Sequence, residues 1–134
     1  MLGVAIAPEL TGYRFFFPRD AADWIGTFAA IAGTAIVVAT IAVLKKDLTA
    51  SPDVKPGTRL ATEFPFSHSR NPIYVGGIVM CLSWSLLQRS WMAFFLTILL
   101  AVVLHFKIKI EEYHLELFFG KEYLQYKARV RRYF

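Results

Sequence analysis

Polar side chains flank the apolar stretches of this sequence at two places, and their types could support binding chemistry. Asn71 and Pro72 precede one apolar stretch, while Glu111 and Glu112 follow another. Lys107 stands one helical turn before Glu111 and is predicted to share its face of a helix. Carboxylates accept hydrogen bonds from amino and hydroxyl groups, and a lysine cation orients an anionic group. Such a set would suit the binding of a polar molecule beside an apolar region.

Each of these motifs also has a structural explanation when it is taken alone. Asn71 is a favourable N-cap residue and Pro72 a favoured first helical residue, so together they predict only the start of a helix. The pair Glu111 and Glu112 fits a solvated acidic patch just outside a bilayer. The functional interpretation therefore depends on the order of the motifs and on the elements that position them.

The composition excludes several classes of protein. Apolar residues make up 56% of the 134 residues, and the mean hydropathy of +0.45 indicates a membrane as the solvent. The pI is near 9.5, but the basic residues flank apolar segments, so no nucleic-acid partner is expected. Cys81 is the single cysteine and lies in an apolar run, so neither an intramolecular disulfide nor a metal site is expected.

Three apolar stretches predict an all-α, polytopic membrane protein with about three transmembrane helices. Residues 24–44 carry no charge over 21 residues, and at about 1.5 Å per residue they can cross a hydrocarbon core of about 30 Å. Residues 73–106 predict a short helical hairpin, with arms at 73–87 and 91–106. The whole chain, 1–134, is expected to form a single membrane-embedded domain.

Small residues form a stripe on the first predicted span. Gly26, Ala30 and Gly33 follow one another at intervals of four and three residues, so another helix backbone can approach closely there. The partner is either a helix of the same chain, which we favour, or a second copy in a homodimer.

Lysine and arginine are distributed unevenly around the predicted spans. Twelve of the 15 lie within 45–72 or 107–134, and the other three lie on the opposite side. Because these residues accumulate on the cytosolic side, the loop and the tail are predicted to face the cytosol in a multi-pass protein of a bacterial inner membrane. The three on the opposite side are Arg14, Arg19 and Arg89. The twelve are Lys45, Lys46, Lys55, Arg59, Arg70, Lys107, Lys109, Lys121, Lys127, Arg129, Arg131 and Arg132.

The two ends of the chain are predicted to lie along the membrane surface. Residues 1–23 mix aromatic and charged side chains and lack a basic n-region, which predicts an interfacial segment and not a signal peptide. Residues 110–119 predict a helix closed by Gly120, and residues 121–133 a second helix with tyrosines along one side. A basic helix of this kind is typical of an anchor on anionic lipids.

The order of the motifs resembles that of the isoprenylcysteine carboxyl methyltransferase family and the related phospholipid N-methyltransferases. Arg-Asn-Pro-Ile-Tyr-Val-Gly at 70–76, a short hairpin, the Glu-Glu pair at 111–112 and Phe-Phe-Gly-Lys-Glu-Tyr-Leu-Gln-Tyr at 118–126 occur consecutively. The resemblance covers residues 54–134. It implies methyl transfer from S-adenosylmethionine, at the cytosolic surface, to a lipophilic substrate that enters from the lipid.

The resemblance also implies which residues form the site. The segments 45–72 and 107–134 would hold the cofactor between them, and Lys107 matches the residue that orients the substrate in the family. The implied cofactor contacts are Thr58, Arg59, Leu60, Ala61, Phe66, Asn71, Pro72, Ile73, Tyr74 and Glu111.

The methyl acceptor stays open at this point: it could be a carboxylate, an amine or a thiol. A carboxylate is already ionised at neutral pH and needs a cation such as Lys107 to orient it. An amine must first lose a proton, and Glu112 would then be the candidate base. Two other functions are also open: a non-catalytic membrane subunit of the same fold, and a reductase that uses a nicotinamide cofactor.

Overall fold

The computed structural model describes residues 19–45, 48–49 and 57–134. Within these ranges the chain forms four helices and one pairing of two-residue strands. The strand β1 (Leu48–Thr49) pairs in parallel with β2 (Arg59–Leu60). The helices are α1 (Arg19–Leu44), α2 (Pro72–Leu87), α3 (Trp91–Phe119) and α4 (Lys121–Arg129). The all-α prediction is therefore confirmed, and most of the predicted interfacial segment, residues 1–18, lies outside the described residues.

Two helices are long and apolar enough to cross a membrane. The most apolar 18-residue window has a mean hydropathy of 2.3 in the Asp20–Leu44 part of α1 and of 2.1 in α3, which is 29 residues long. At about 1.5 Å per residue, α3 extends about 43 Å, which is longer than a hydrocarbon core of about 30 Å. The prediction of separate helices at 91–106 and 110–119 is therefore wrong. The basic residues between them leave the backbone helical, and the helix simply continues beyond the core.

Helix α2 is shorter and packs against α1 through glycines. A Cβ atom added to Gly76 would lie 2.9 Å from the carbonyl oxygen of Gly33, and one added to Gly33 would lie 2.9 Å from the carbonyl oxygen of Gly76. At Gly26 an added Cβ would lie 2.9 Å from the Leu87 side chain. The glycines of the predicted stripe therefore serve close helix packing within the chain.

The turn between α2 and α3 is tied to the beginning of α1. The guanidinium of Arg89, in the turn, lies 2.9 Å from the carboxylate of Asp23. Ser90 is the N-cap of α3, and its hydroxyl accepts a hydrogen bond from the backbone N–H of Ala93. We call this end of the bundle the tip end.

The opposite end, which we call the loop end, contains the hydrophobic core. It is built where the loop before α2 meets the end of α3 and α4. Gly120 has a φ of 56°, a conformation that glycine adopts without steric cost, and it closes α3 where the sequence predicted. The core residues are Val43, Leu60, Ala61, Phe66, Leu115, Tyr123 and Tyr126.

The last helix is shorter than predicted. It ends at Arg129, and Val130 has extended backbone angles, so the predicted helix over 121–133 is wrong beyond that point. The carbonyls of Arg131 and Arg132 accept hydrogen bonds from the loop before α2 instead of continuing the helix. Tertiary contacts have overridden the local helical pattern.

Candidate functional site

The C-terminal tail, residues 130–134, is bonded to the loop that leads into α2. The backbone N–H of Arg70 donates to the carbonyl of Arg131 at 3.0 Å. The Ser69 hydroxyl and the Asn71 side-chain amide donate to the carbonyl of Arg132, at 3.3 and 3.2 Å. Two segments more than 60 residues apart in sequence are thus held side by side.

Glu112 is the centre of a buried polar cluster and has only 3% of its surface exposed. The guanidinium of Arg132 binds both carboxylate oxygens, with Nη2 at 2.9 Å from Oε2 and Nε at 3.2 Å from Oε1. Arg70 Nη1 lies 3.4 Å from Oε1, and Asn71 Nδ2 donates to the same oxygen at 3.2 Å. Two cations and an amide thus compensate the buried charge, as a buried carboxylate requires.

Asn71 has a different role from the one its position predicts. It is the N-cap residue of α2, and Pro72 is the first helical residue, both as predicted. The Asn71 side chain does not cap the helix, however, because its amide is bonded to Glu112 and to the tail. The asparagine therefore connects three segments of the site.

Glu111 faces a second polar group, formed with residues of α2 and α3. The Tyr74 hydroxyl donates to Glu111 Oε1 at 2.8 Å and accepts from Lys107 Nζ at 3.0 Å. Lys107 Nζ also lies 3.4 Å from Glu111 Oε1, one helical turn away, as predicted. The Lys107 side chain is 56% exposed and the Glu111 side chain 11% exposed. The Lys107 ammonium group is therefore held at the surface of the site by two acceptors, the Tyr74 hydroxyl and the Glu111 carboxylate.

An apolar cavity of about 480 Å³ lies between α2 and α3. This volume is within the range of pockets that enclose a small organic ligand, about 300 to 1,000 Å³. Its polar lining residues are Tyr74, His105 and Tyr133. The remaining lining residues are Val75, Ile78, Val79, Ile98, Ala101, Val102, Leu104 and Ile108.

A smaller and more polar cavity of about 170 Å³ lies at the loop end. Tyr74 lines this cavity as well as the apolar one, so the two spaces meet at one side chain. The other lining residues are Leu44, Phe66, Arg70, Asn71, Pro72, Ile73 and Glu111.

The structure brings together six of the ten residues expected to contact the cofactor. Phe66, the segment 71–74 and Glu111 all line the smaller cavity. The other four, at 58–61, line neither cavity: Leu60 and Ala61 are buried in the hydrophobic core, while Arg59 is exposed. Of the two residues expected to act in catalysis, Lys107 contacts Tyr74, and Glu112 lies in the ion-pair cluster.

The sequence did not single out several residues of the site. Arg70 lines the smaller cavity with a side chain that is 9% exposed, and Arg132 binds Glu112 from the far end of the chain. Tyr133 reaches the apolar cavity. The two acidic residues at 111–112 indicated that a cation lies nearby, since a buried carboxylate needs one. Nothing in the local sequence indicated which arginine supplies it.

Two tyrosines of α4 border the ion-pair cluster. Burial, together with the negative charge of Glu112, raises the pKa of Tyr123 to about 12. Burial also raises the pKa of Tyr126, whose hydroxyl donates to the carbonyl of Phe66 at 2.7 Å. The hydrogen bond with Glu112 raises the pKa of Arg132. At neutral pH both tyrosines are therefore neutral and the arginine is a cation.

These features define a class: an all-α membrane protein with a polar site at one end and an apolar cavity opening beside it. The model of the phospholipid methyltransferase family matches residues 21–122. The chain therefore belongs to the family of isoprenylcysteine and phospholipid methyltransferases, as the order of its motifs predicted. This is a family of lipid-methylating membrane enzymes that generally use S-adenosylmethionine. No curated protein and no solved structure matches the chain significantly.

Proposed function

We propose that this chain binds S-adenosylmethionine at the loop end, with part of the cofactor in the smaller cavity, and transfers its methyl group to a lipophilic acceptor in the apolar cavity. The observation that carries the proposal is that Tyr74 lines both cavities. Its hydroxyl binds Glu111 on one side and Lys107 on the other. The two ligands would therefore meet beside these three side chains.

The residues of the smaller cavity fit the chemical groups of the cofactor. S-adenosylmethionine carries a carboxylate, an ammonium group, ribose hydroxyls and an aromatic base. Arg70 is a buried cation, with Nε and Nη1 hydrogen-bonded to none of the described residues, and it can bind the carboxylate. Glu111 can accept from the ammonium group or the hydroxyls. The bound cofactor would supply a methyl group already activated by its positively charged sulfur.

Lys107 is the residue that would orient the acceptor. Its ammonium group is held by the Tyr74 hydroxyl and lies 5.2 Å from the centre of the Tyr74 ring, yet the side chain stays half-exposed. A cation in this position favours an acceptor with an anionic group. Holding the acceptor in line with the methyl group lowers the entropic part of the barrier.

The surroundings of Glu112 favour a carboxylate acceptor over an amine. An amine would need a base, but the Glu112 oxygens are already hydrogen-bonded to Arg132 and Asn71 and ion-paired with Arg70. A carboxylate has no proton to lose, so Lys107 alone can prepare it for reaction. We therefore propose that Glu112 positions the loop and the tail and does not transfer protons.

The charge distribution supports one orientation of the chain in the membrane. The loop end has most of the lysine and arginine residues, so it would face the cytosol. The chain would then be a multi-pass protein, as in a bacterial inner membrane, with its site open to cytosolic S-adenosylmethionine.

Calorimetry with purified protein in nanodiscs tests the cofactor site. Wild-type protein should bind S-adenosylmethionine and S-adenosylhomocysteine saturably, and Glu111→Gln should weaken both by at least tenfold, since it removes a charged acceptor. Glu122→Gln, an exposed position on α4, is the matched control. Absence of saturable binding at millimolar ligand would leave a non-catalytic subunit as the function. Equal affinity in Glu111→Gln would show that the cofactor binds elsewhere.

The chemistry of the acceptor can be tested separately. Protein supplied with methyl-labelled cofactor and a total lipid extract should transfer label to lipid. Release of that label by mild alkali identifies a methyl ester and supports the carboxylate acceptor. Label that resists alkali is on nitrogen or sulfur and would overturn that choice of acceptor.

A further inference from the structure

The tail ends against the wall of the apolar cavity. The hydroxyl of Tyr133 lies 2.5 Å from Nδ1 of His105, and the two ring centres are 6.1 Å apart. Both side chains line the cavity. They form a polar pair in a wall that is otherwise apolar except at Tyr74.

This pair is separated from Tyr74 along the cavity. The Tyr74 hydroxyl contacts Lys107 and Glu111, which follow His105 by two and six residues on α3. Two and six residues of helix correspond to about 3 and 9 Å along the axis of α3. The apolar cavity therefore has two polar places, one at Tyr74 beside Lys107 and one at His105 and Tyr133, farther from the loop end.

The position of Tyr133 is fixed by the ion-pair cluster. The preceding residue, Arg132, binds both oxygens of the buried Glu112, and its carbonyl accepts from Ser69 and Asn71. These four contacts fix the backbone at Arg132, and the hydrogen bond with His105 places the Tyr133 side chain that follows it. The Tyr133 hydroxyl therefore already has a defined position when a ligand enters the cavity.

One nitrogen of His105 remains available for a ligand. Nδ1 is bonded to Tyr133, while Nε2 is hydrogen-bonded to no residue that the structure describes. An imidazole can donate or accept through that nitrogen, depending on its tautomer. The pair can therefore bind a neutral polar group such as an amide or a hydroxyl.

We propose that Tyr133 and His105 determine substrate specificity by binding a second polar group of the acceptor. The inference rests on the proposed function, in which the methylated group lies at Tyr74 and Lys107. The preferred acceptor would be an amphiphile with one hydrocarbon chain in the cavity and a neutral hydrogen-bonding group between that chain and its methylated end. A fatty acid without such a group would leave the polar pair facing hydrocarbon, which costs free energy.

Two probes that differ in this group test the inference: N-palmitoylglycine, which has an amide next to its carboxylate group, and palmitic acid, which has none. Their dissociation constants are measured by titration into nanodiscs containing wild-type protein or Tyr133→Phe. Wild-type protein should bind N-palmitoylglycine about three- to tenfold more tightly than palmitic acid, the range of one net hydrogen bond. Tyr133→Phe should reduce this ratio, and His105→Leu should reduce it further.

Controls separate this role from a structural one. Tyr113→Phe makes the same chemical change at an exposed tyrosine of α3 outside the cavity and should leave the ratio at its wild-type value. Thermal unfolding of each variant reports any loss of folding. An unchanged ratio in Tyr133→Phe, or no binding of either probe to wild-type protein, overturns the inference. S-adenosylhomocysteine binding, measured on the same samples, reports the proposed function independently, since neither Tyr133 nor His105 lines the smaller cavity.

Discussion

The membrane half of the molecule and its loop end are held together by opposite means. Between α1 and α2 the two backbones approach closely, because Gly33 and Gly76 face each other and have no side chains. At the loop end the closest contacts are made by charge, where Glu112 is enclosed by Arg70 and Arg132. The two regions are joined by α2 and α3, which run through both.

The difference follows from the solvent around each region. Lipid tails are as apolar as the side chains of a helix, so association in a membrane depends on close packing, which glycine permits. Near water, a buried ion pair contributes little net stability, but removing one partner is strongly destabilising. The ion pairs at the loop end therefore act mainly to fix a single arrangement of loop, helix and tail, and with it the two cavities.

The largest effect is expected from Glu112→Gln, which removes the buried negative charge at the loop end. The change leaves two guanidinium groups around a neutral amide, and it should lower the free energy of unfolding by about 3 to 5 kcal/mol. Thermal unfolding in detergent measures it. Glu116→Gln is the matched control, because its pair with Lys127 is partly exposed and should be worth less than about 1 kcal/mol. Equal losses in the two variants would mean that burial of the pair is unimportant.

A smaller effect is expected from Gly76→Ala, which tests the membrane half. The added methyl group would lie 2.8 Å from a Val37 side-chain carbon and 2.9 Å from the Gly33 carbonyl oxygen. Such overpacking costs about 1 to 3 kcal/mol. Gly77→Ala is the neighbouring control, since no atom of the residues that the structure describes lies within 4 Å of its added methyl group. It should be neutral or slightly stabilising because alanine favours helix. Matching losses at both positions would remove the argument for backbone contact.

Lys107→Met tests the place where the two regions meet. It removes the cation beside Tyr74 but keeps an unbranched side chain, so methyl transfer to a carboxylate acceptor should fall about tenfold, as for loss of one charged hydrogen bond. Cofactor affinity should change little. Lys109→Met removes an exposed cation two residues away, which lies over the Phe106 ring, and should keep full activity. If both variants have similar rates, Lys107 does not orient the acceptor.

The sequence predicted the membrane half more completely than the loop end. The spans, the glycine stripe and the helix end at Gly120 all follow from local rules, namely hydrophobic length, small-residue spacing and backbone conformation. The family motif also identified six residues of the smaller cavity. These features depend on neighbours along the chain or on a motif that is continuous in sequence.

The loop end depends on contacts that are distant in sequence. Glu112 is 42 residues from Arg70 and 20 from Arg132, and local spacing does not select these partners among 15 lysines and arginines. Once the pairs form, the tail leaves the helix at Val130 and the Asn71 amide turns away from the cap. The differences from prediction at Val130 and Asn71 therefore have one cause. The buried charge of Glu112 binds groups from segments that are distant in sequence.

The smallest effect at neutral pH is expected from Tyr123→Phe. This change should alter the stability of the loop end mainly in alkaline solution. In the folded state the pKa of Tyr123 is raised to about 12 by burial and by Glu112, from an ordinary value of about 10. The unfolded chain therefore loses this proton first, and the stability that the neutral phenol contributes is complete below pH 10. It declines as the pH rises from 10 towards 12.

Tyr123→Phe should remove that part of the decline, measured as unfolding midpoints across this range. Tyr113→Phe, at an exposed phenol, should follow the wild-type curve. Parallel curves for Tyr123→Phe and wild-type protein would show that Glu112 and its surroundings do not hold this phenol neutral.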